Sequence, residues 1–192
     1  MPTPYKRKLE RALSKLARDD RTAFAAACAE RLSTQMSNGR RKRGLRKILD
    51  QLWSDLSNRT TFSRAMLDEC MSLIPSEEAR DWSARSEDAA ASIAYALRSF
   101  RSGKLVEARS AASRVLDSIE FELSDQDGDD DAWMKHPRIL AEVERQRRDL
   151  DELARRTVSV TRLRARAAEE GKRLLPPPRK RSRQRTASVT ST

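Results

Sequence analysis

Chemistry at neutral pH draws first on histidine, and this chain has one, His136. A lone imidazole needs partners to act as a general base or metal ligand. His136 is followed by Pro137, and a His-Pro pair ahead of a periodic stretch reads as a turn and helix-capping unit. Cys28 and Cys70 stand far apart among apolar residues and form no C-x-x-C pair. With His136 they match no zinc spacing, so only tertiary coincidence would make them a site, and buried apolar-like thiols are the expectation. The acidic run Asp125 to Asp131, DQDGDDD, has the carboxylates that hard cations want. It fails the calcium-loop template: with Asp125 at position one, Gly128 falls at four and His136 at the closing position, where glycine at six and glutamate at twelve are required. A solvated loop is expected. The pairs Glu77 with Glu78 and Glu87 with Asp88 are sequence neighbours, which do not share a helix face. There is no G-x-x-x-x-G-K-[ST], G-x-G-x-x-G or G-x-S-x-G, so no phosphate cradle or nucleophile elbow is available. No catalytic residue, cofactor or metal ligand is assigned.

Cations are the remaining chemistry. Arg40, Arg41, Lys42, Arg43, Arg46 and Lys47 cluster at an expected helix N-terminus, where positive charge opposes the helix dipole and could gather phosphates. Arg179, Lys180, Arg181, Arg183 and Arg185 form a second group near the C-terminus. Either group could be solvated surface or an anion-binding segment. Neither is interleaved with aromatic residues for base stacking, which argues against sequence-specific readout. Trp53 belongs to an apolar stripe, whereas Trp82 and Trp133 lie in connectors.

The whole chain of 192 residues carries a formal charge of +11. Seven cations and no acid fall in its last 22 residues, and removing them leaves the body at +4. An excess concentrated in a terminus favours polyanion contact and says little about fold. The N-terminus lacks a secretory apolar run, and the longest apolar stretch, Ala23 to Ala29, is far below membrane-spanning length. With no disulfide framework, a soluble cytoplasmic protein without a membrane span is expected.

These residues must be positioned by helices. All five glycines and the prolines outside the tail fall between periodic stretches or at helix starts, and seven helical windows result. Thr3 and Pro4 open the first, with Tyr5, Leu9, Leu13 and Leu16 on one face. Asp19 or Asp20 is expected to cap the second, whose stripe is Phe24, Cys28, Leu32 and Met36 and whose end is Gly39. Leu45, Ile48, Leu49, Leu52, Trp53 and Leu56 mark the third, and Phe62, Met66, Cys70, Leu73 and Ile74 the fourth. The fifth, Ala89 to Phe100, is capped from Ser83 or Ser86, and its alanines suggest a central place. The sixth runs from Leu105 to Leu123. Pro137 opens a long last helix whose later turns, charged nearly all round, are expected to project or fray. The sequence therefore predicts an all-α single-domain bundle over residues 1–170 and a disordered, basic, proline-rich tail over 171–192 that is dispensable for stability.

The segments LERALSKLARDDRTAFAAACAERL, LDQLWSDL, the alanine-rich stretch around Tyr95, and HPRILAEVERQRRDL together resemble the YjaG-like family of uncharacterised bacterial proteins. Leu9, Glu10, Leu13, Arg21, Phe24, Cys28, Glu30, Arg31, Leu32, Leu52, Trp53, Leu56, Pro75, Ala94, Tyr95, Leu97, His136, Pro137, Glu142 and Gln146 carry the likeness, over roughly residues 5–153. It implies a helical domain in the bacterial cytoplasm and brings no activity. The basic run GRRKRGLRK replaces a longer aromatic and acidic loop of that family, and the segment from about Thr157 has no counterpart in it.

Function is accordingly expected to be non-catalytic: an interaction module whose unidentified protein partner is held by a helix face or by the 39–47 segment. The alternative is a nucleic-acid-associated accessory protein that holds phosphate backbones without sequence preference through its basic segments. A dispersed enzymatic pocket would show itself as several strongly perturbed titratable groups gathered together. Oligomeric state is open.

Overall fold

The computed structural model describes residues 3–36, 39–61, 63–74, 83–124 and 135–175. Among them the chain is all-α, with eight helices: α1 Thr3–Ser14, α2 Arg18–Ser33, α3 Arg40–Asn58, α4 Arg64–Leu73, α5 Ala84–Ser102, α6 Leu105–Ser124, α7 Pro137–Arg155 and α8 Val160–Gly171. No described helix is long and apolar enough to cross a membrane. The acidic run 125–131, Trp82, Trp133, Glu77, Glu78 and the cations Arg179, Lys180, Arg181, Arg183 and Arg185 lie outside the described residues.

The central helix is α2, with α3, α5, α6, α7 and α8 packed about it. Every residue from Thr22 to Ser33 is buried. Alanines on all sides of this helix let neighbouring backbones approach, and a helix apolar all round must be enclosed. The stripe Phe24, Cys28 and Leu32 is therefore one face of a helix buried on every face, and α5, for which a central place was expected, is one of the helices packed on α2. Arg18 joins the two: its guanidinium donates to the carbonyls of Phe100 (2.6 Å) and Arg101 (2.8 Å), filling acceptors that the end of α5 leaves open. Ser83 caps α5 by accepting from the Ser86 N–H, as its sequence suggests. Asp19 and Asp20 do not cap α2; they sit within its first turn, behind an extended Ala17.

The expected long last helix is two helices. Arg156 adopts the left-handed conformation (φ 55°) that closes α7, and Ser159 caps α8 by accepting from the Arg162 N–H. Neither glycine nor proline marks this break, which is why periodicity runs through it. α8 does not project. It folds back on α2 and α3, burying Leu163, Ala167 and Gly171. Gly171 is thus a packing residue: a Cβ there would lie 2.5 Å from the Arg31 carbonyl oxygen. The body also continues beyond the boundary expected at 170, because Leu174 and Leu175 are buried in the same core.

Candidate functional site: a buried ionic network beside an apolar groove

Arg31 projects from the middle of α2, where enclosure of the helix leaves its guanidinium no route to water. Its side chain is 0% exposed, and so are those of Glu142 and Asp149 on α7. Burying a lone charge costs several kcal/mol, so partners are obligatory. Arg31 Nη1 donates to Asp149 Oδ2 at 2.7 Å and to Glu170 Oε2 at 3.3 Å, and Nε lies 3.1 Å from Glu142 Oε1. Arg148 bridges Asp149 and Glu170, Arg166 bridges Asp149 and Glu152, and Arg145 reaches Glu142. Four guanidiniums thereby face four carboxylates, and the network is internally neutral.

Burial pushes the Glu142 carboxyl above its ordinary range, a rise only partly offset by Arg31. Burial acts the same way on Asp149, but Arg31 and Arg148, bonded to it directly, outweigh it and hold that carboxyl low. Burial, opposed by Arg31 and reinforced by Glu142 and Asp149, pushes the Cys28 thiol up to about 12, and its Sγ accepts a 3.6 Å contact from Arg31 Nη2. A thiol so raised is not a nucleophile at neutral pH. Cys70 is likewise pushed to about 12 by burial.

A polar chain leads from this network towards solvent. Gln146 Nε2 donates to Glu142 Oε1 at 3.0 Å, and Gln146 Oε1 accepts from the Tyr5 hydroxyl at 2.6 Å. Tyr5 lines a pocket of about 380 Å³ between α1, α6 and α7, with Leu9, Ala12, Leu116, Ile139 and Val143 among its walls and Lys8, Arg147 and Asp151 also lining it. Leu140, on the same groove, is 53% exposed.

A family model described as "Protein of unknown function (DUF416)" matches residues 8–173. The chain belongs to the DUF416 family. A crystal structure of a DUF416 family protein from Shewanella baltica OS155 is similar in fold, with a TM-score of 0.69 at 16% identity, covering 83% of this chain and 93% of that one. No curated protein matches it. The resemblance drawn from sequence thus holds at the level of a family of uncharacterised proteins.

In this DUF416 chain the basic run, expected at a helix N-terminus, forms the first two turns of α3 behind an extended Gly39. Arg40, Arg43 and Lys47 lie on its exposed face. Arg46 is committed elsewhere: it grips Glu30 through two nitrogens at 2.6 and 2.9 Å and also bonds Asp50. Trp53 Nε1 donates to the same Glu30 at 2.8 Å, and Arg164 of α8 pairs with Asp50. Lys42 turns back to the Met36 carbonyl at 3.0 Å, and Arg41 is half-buried. His136 caps α7, its Nδ1 accepting from the Arg138 N–H at 3.2 Å. Cys28, Cys70 and His136 are not brought together, and no three His, Cys, Asp or Glu side chains among the described residues are grouped to hold a metal ion.

The sequence contained the members of the ionic network without revealing it. Glu30, Arg31 and Glu142 are marked by family likeness alone, and Gln146 also by its place in the near-heptad spacing of Ile139, Val143, Leu150 and Leu153. The physical signal was available in the polar residues Glu30 and Arg31 inside an alanine-rich helix and Gln146 on an apolar seam, each a position that must be paired once enclosed.

Proposed function

We propose that this DUF416 member, a YjaG-like protein of the bacterial cytoplasm, is a non-catalytic domain that acts by holding an amphipathic helix of a partner protein in the groove between α1, α6 and α7. The observation that carries this reading is the open apolar groove beside a charge network whose guanidiniums and carboxylates are paired with one another. The titratable groups that gather in the core are paired with one another, whereas Leu140 is exposed beside an open apolar pocket. Its lining on α7 runs from Ile139 to Asp151, about 18 Å at 1.5 Å per residue, a length suited to three turns of a docked helix presenting side chains at i, i+4 and i+7. Lys8 has no ion pair with a described residue, while Arg147 is held by Glu144 and Asp151. An acidic residue on the docked helix would complement Lys8.

The test is differential capture at about 0.5 M salt, where exposed charge contacts are screened. Ala12→Trp fills the groove, and a partner retained by the wild-type chain should be lost from this variant while its helicity is unchanged. Identical retention by both chains would sink the reading.

A second reading has its own observation. Arg40, Arg43 and Lys47 stand on one exposed helix face without an ion pair to any described residue, as nonspecific phosphate-backbone contact would require.

A further inference from the structure

The two long edges of the groove between α1, α6 and α7 differ in charge. On the α7 edge Arg147 holds both Glu144 and Asp151, so cation and acids there are paired with one another. On the α1 edge Lys8, which lines the groove, is followed by Arg11 and by Lys15 in the turn that closes the helix, and all three are exposed. Their spacing is i, i+3 and i+7, which sets them on one side of α1 along about 10 Å of its axis. None of the three has an ion pair with a described residue. The one acid of α1, Glu10, is paired with Arg109 of α6 and does not neutralise them. The apolar side of α1 faces the body, where Leu9, Leu13 and Leu16 are buried.

We propose that the helix held in this groove is acidic along one flank, with carboxylates at i, i+3 or i+4, and i+7 set against Lys8, Arg11 and Lys15, an inference that rests on the first reading above and names the chemistry of its partner. Two helices lying side by side share the same rise per residue, so three cations spread over seven residues of α1 match three carboxylates spread over seven residues of the docked helix. The apolar side chains of that helix enter between Tyr5, Leu9, Val143 and Leu150, and its acids stay at the rim. The flank that meets α7 needs no charge, because the ions there are already paired. One charged and one uncharged flank fix which way round the helix lies. Rim charges of this kind select the partner and speed its encounter, while the apolar contact retains it. A phosphate backbone would answer the cations but has no apolar side chain for the pocket beside them, where Leu140 is 53% exposed. A lipid layer would meet an α1 whose leucines are turned into the body.

The test is photocrosslinking in growing cells from a reactive side chain at position 140 of the full chain, with α1 in three versions. One is unaltered, one carries Lys8→Glu, Arg11→Glu and Lys15→Glu, and one carries Lys8→Arg, Arg11→Lys and Lys15→Arg. All three positions are exposed, and equal melting temperatures confirm that each version is folded. The acidic flank predicts a protein adduct in similar yield from the unaltered and the conservatively substituted chains. The charge-reversed chain should lose about tenfold or more of it, because like charges then face one another along the rim. Mass spectrometry of the adduct should place the crosslink in a segment with Asp or Glu at the stated spacing. Equal yields from the unaltered and charge-reversed chains, or a crosslinked segment without acids at that spacing, would overturn the acidic flank and leave the groove reading standing. An adduct that nuclease removes, one that joins two copies of this chain, or no adduct from any version would overturn the groove reading together with it.

Discussion

The Tyr5 hydroxyl donates to Gln146 Oε1 at 2.6 Å, joining the wall of the apolar groove to the buried ionic core. Gln146 passes the contact to Glu142, and Glu142 to Arg31. Burial raises the Tyr5 hydroxyl well above the usual tyrosine range, so it remains a neutral donor across all physiological pH. Tyr5→Phe strands the Gln146 carbonyl oxygen. Urea unfolding should show a loss of about 1–2 kcal/mol, the cost of an unsatisfied buried acceptor. A variant as stable as wild type would mean that the bond contributes nothing.

Arg31→Met leaves Glu142 and Asp149 buried without their principal cation. The expected destabilisation is about 3–5 kcal/mol, enough to unfold a marginal domain. Adding Glu142→Gln and Asp149→Asn to Arg31→Met removes the stranded charges and should recover much of that loss. If the triple variant is no more stable than the single one, the cost lies in packing and the ionic account is wrong.

Chain ends offer a sharper contrast. Deleting residues 176–192 should leave the melting temperature nearly unchanged. Deleting 171–192 also removes Gly171, Leu174 and Leu175, and two buried leucines alone are worth about 3–6 kcal/mol. Equal melting temperatures for the two truncations would contradict the packing of this segment on α2.

This contrast shows what the sequence could convey. Helical periodicity, proline at helix starts and the caps at Ser83 and His136 were legible because each is a local signal. The turn at Arg156 was not, because a left-handed arginine followed by Thr157, Val158 and Ser159 carries none of the usual punctuation. Its consequence, α8 folding back on α2, reversed the reading of Gly171 from junction to contact. The same holds for the site: Arg46 looked like a free cation until the fold set Glu30 and Asp50 beside it. Exposed Arg40, Arg43 and Lys47 needed only helical spacing, whereas pairing across helices depends on which faces meet.

Asp88 gives a pH signature. Burial, reinforced by Asp117 and opposed by Arg114 at 3.3 Å, pushes its carboxyl up to about 6 from an ordinary 3.8. Between about pH 4 and 6 the folded chain holds a proton that the unfolded chain has released, so this group's contribution to stability falls as pH rises through that window. Asp88→Asn removes the effect. Relative to wild type, the variant's melting temperature should improve by a few degrees between pH 4 and pH 7.5. A difference that stays constant with pH would rule out the raised carboxyl.

The most direct test of the interaction reading is site-specific photocrosslinking in growing cells, with the reactive side chain placed at Leu140 on the groove or, as a control, at Met71 on α4, which is 42% exposed. The account predicts a discrete protein adduct from position 140, lost when Ala12→Trp fills the groove and absent from position 71. The same adducts from both positions, or none from position 140, would contradict it.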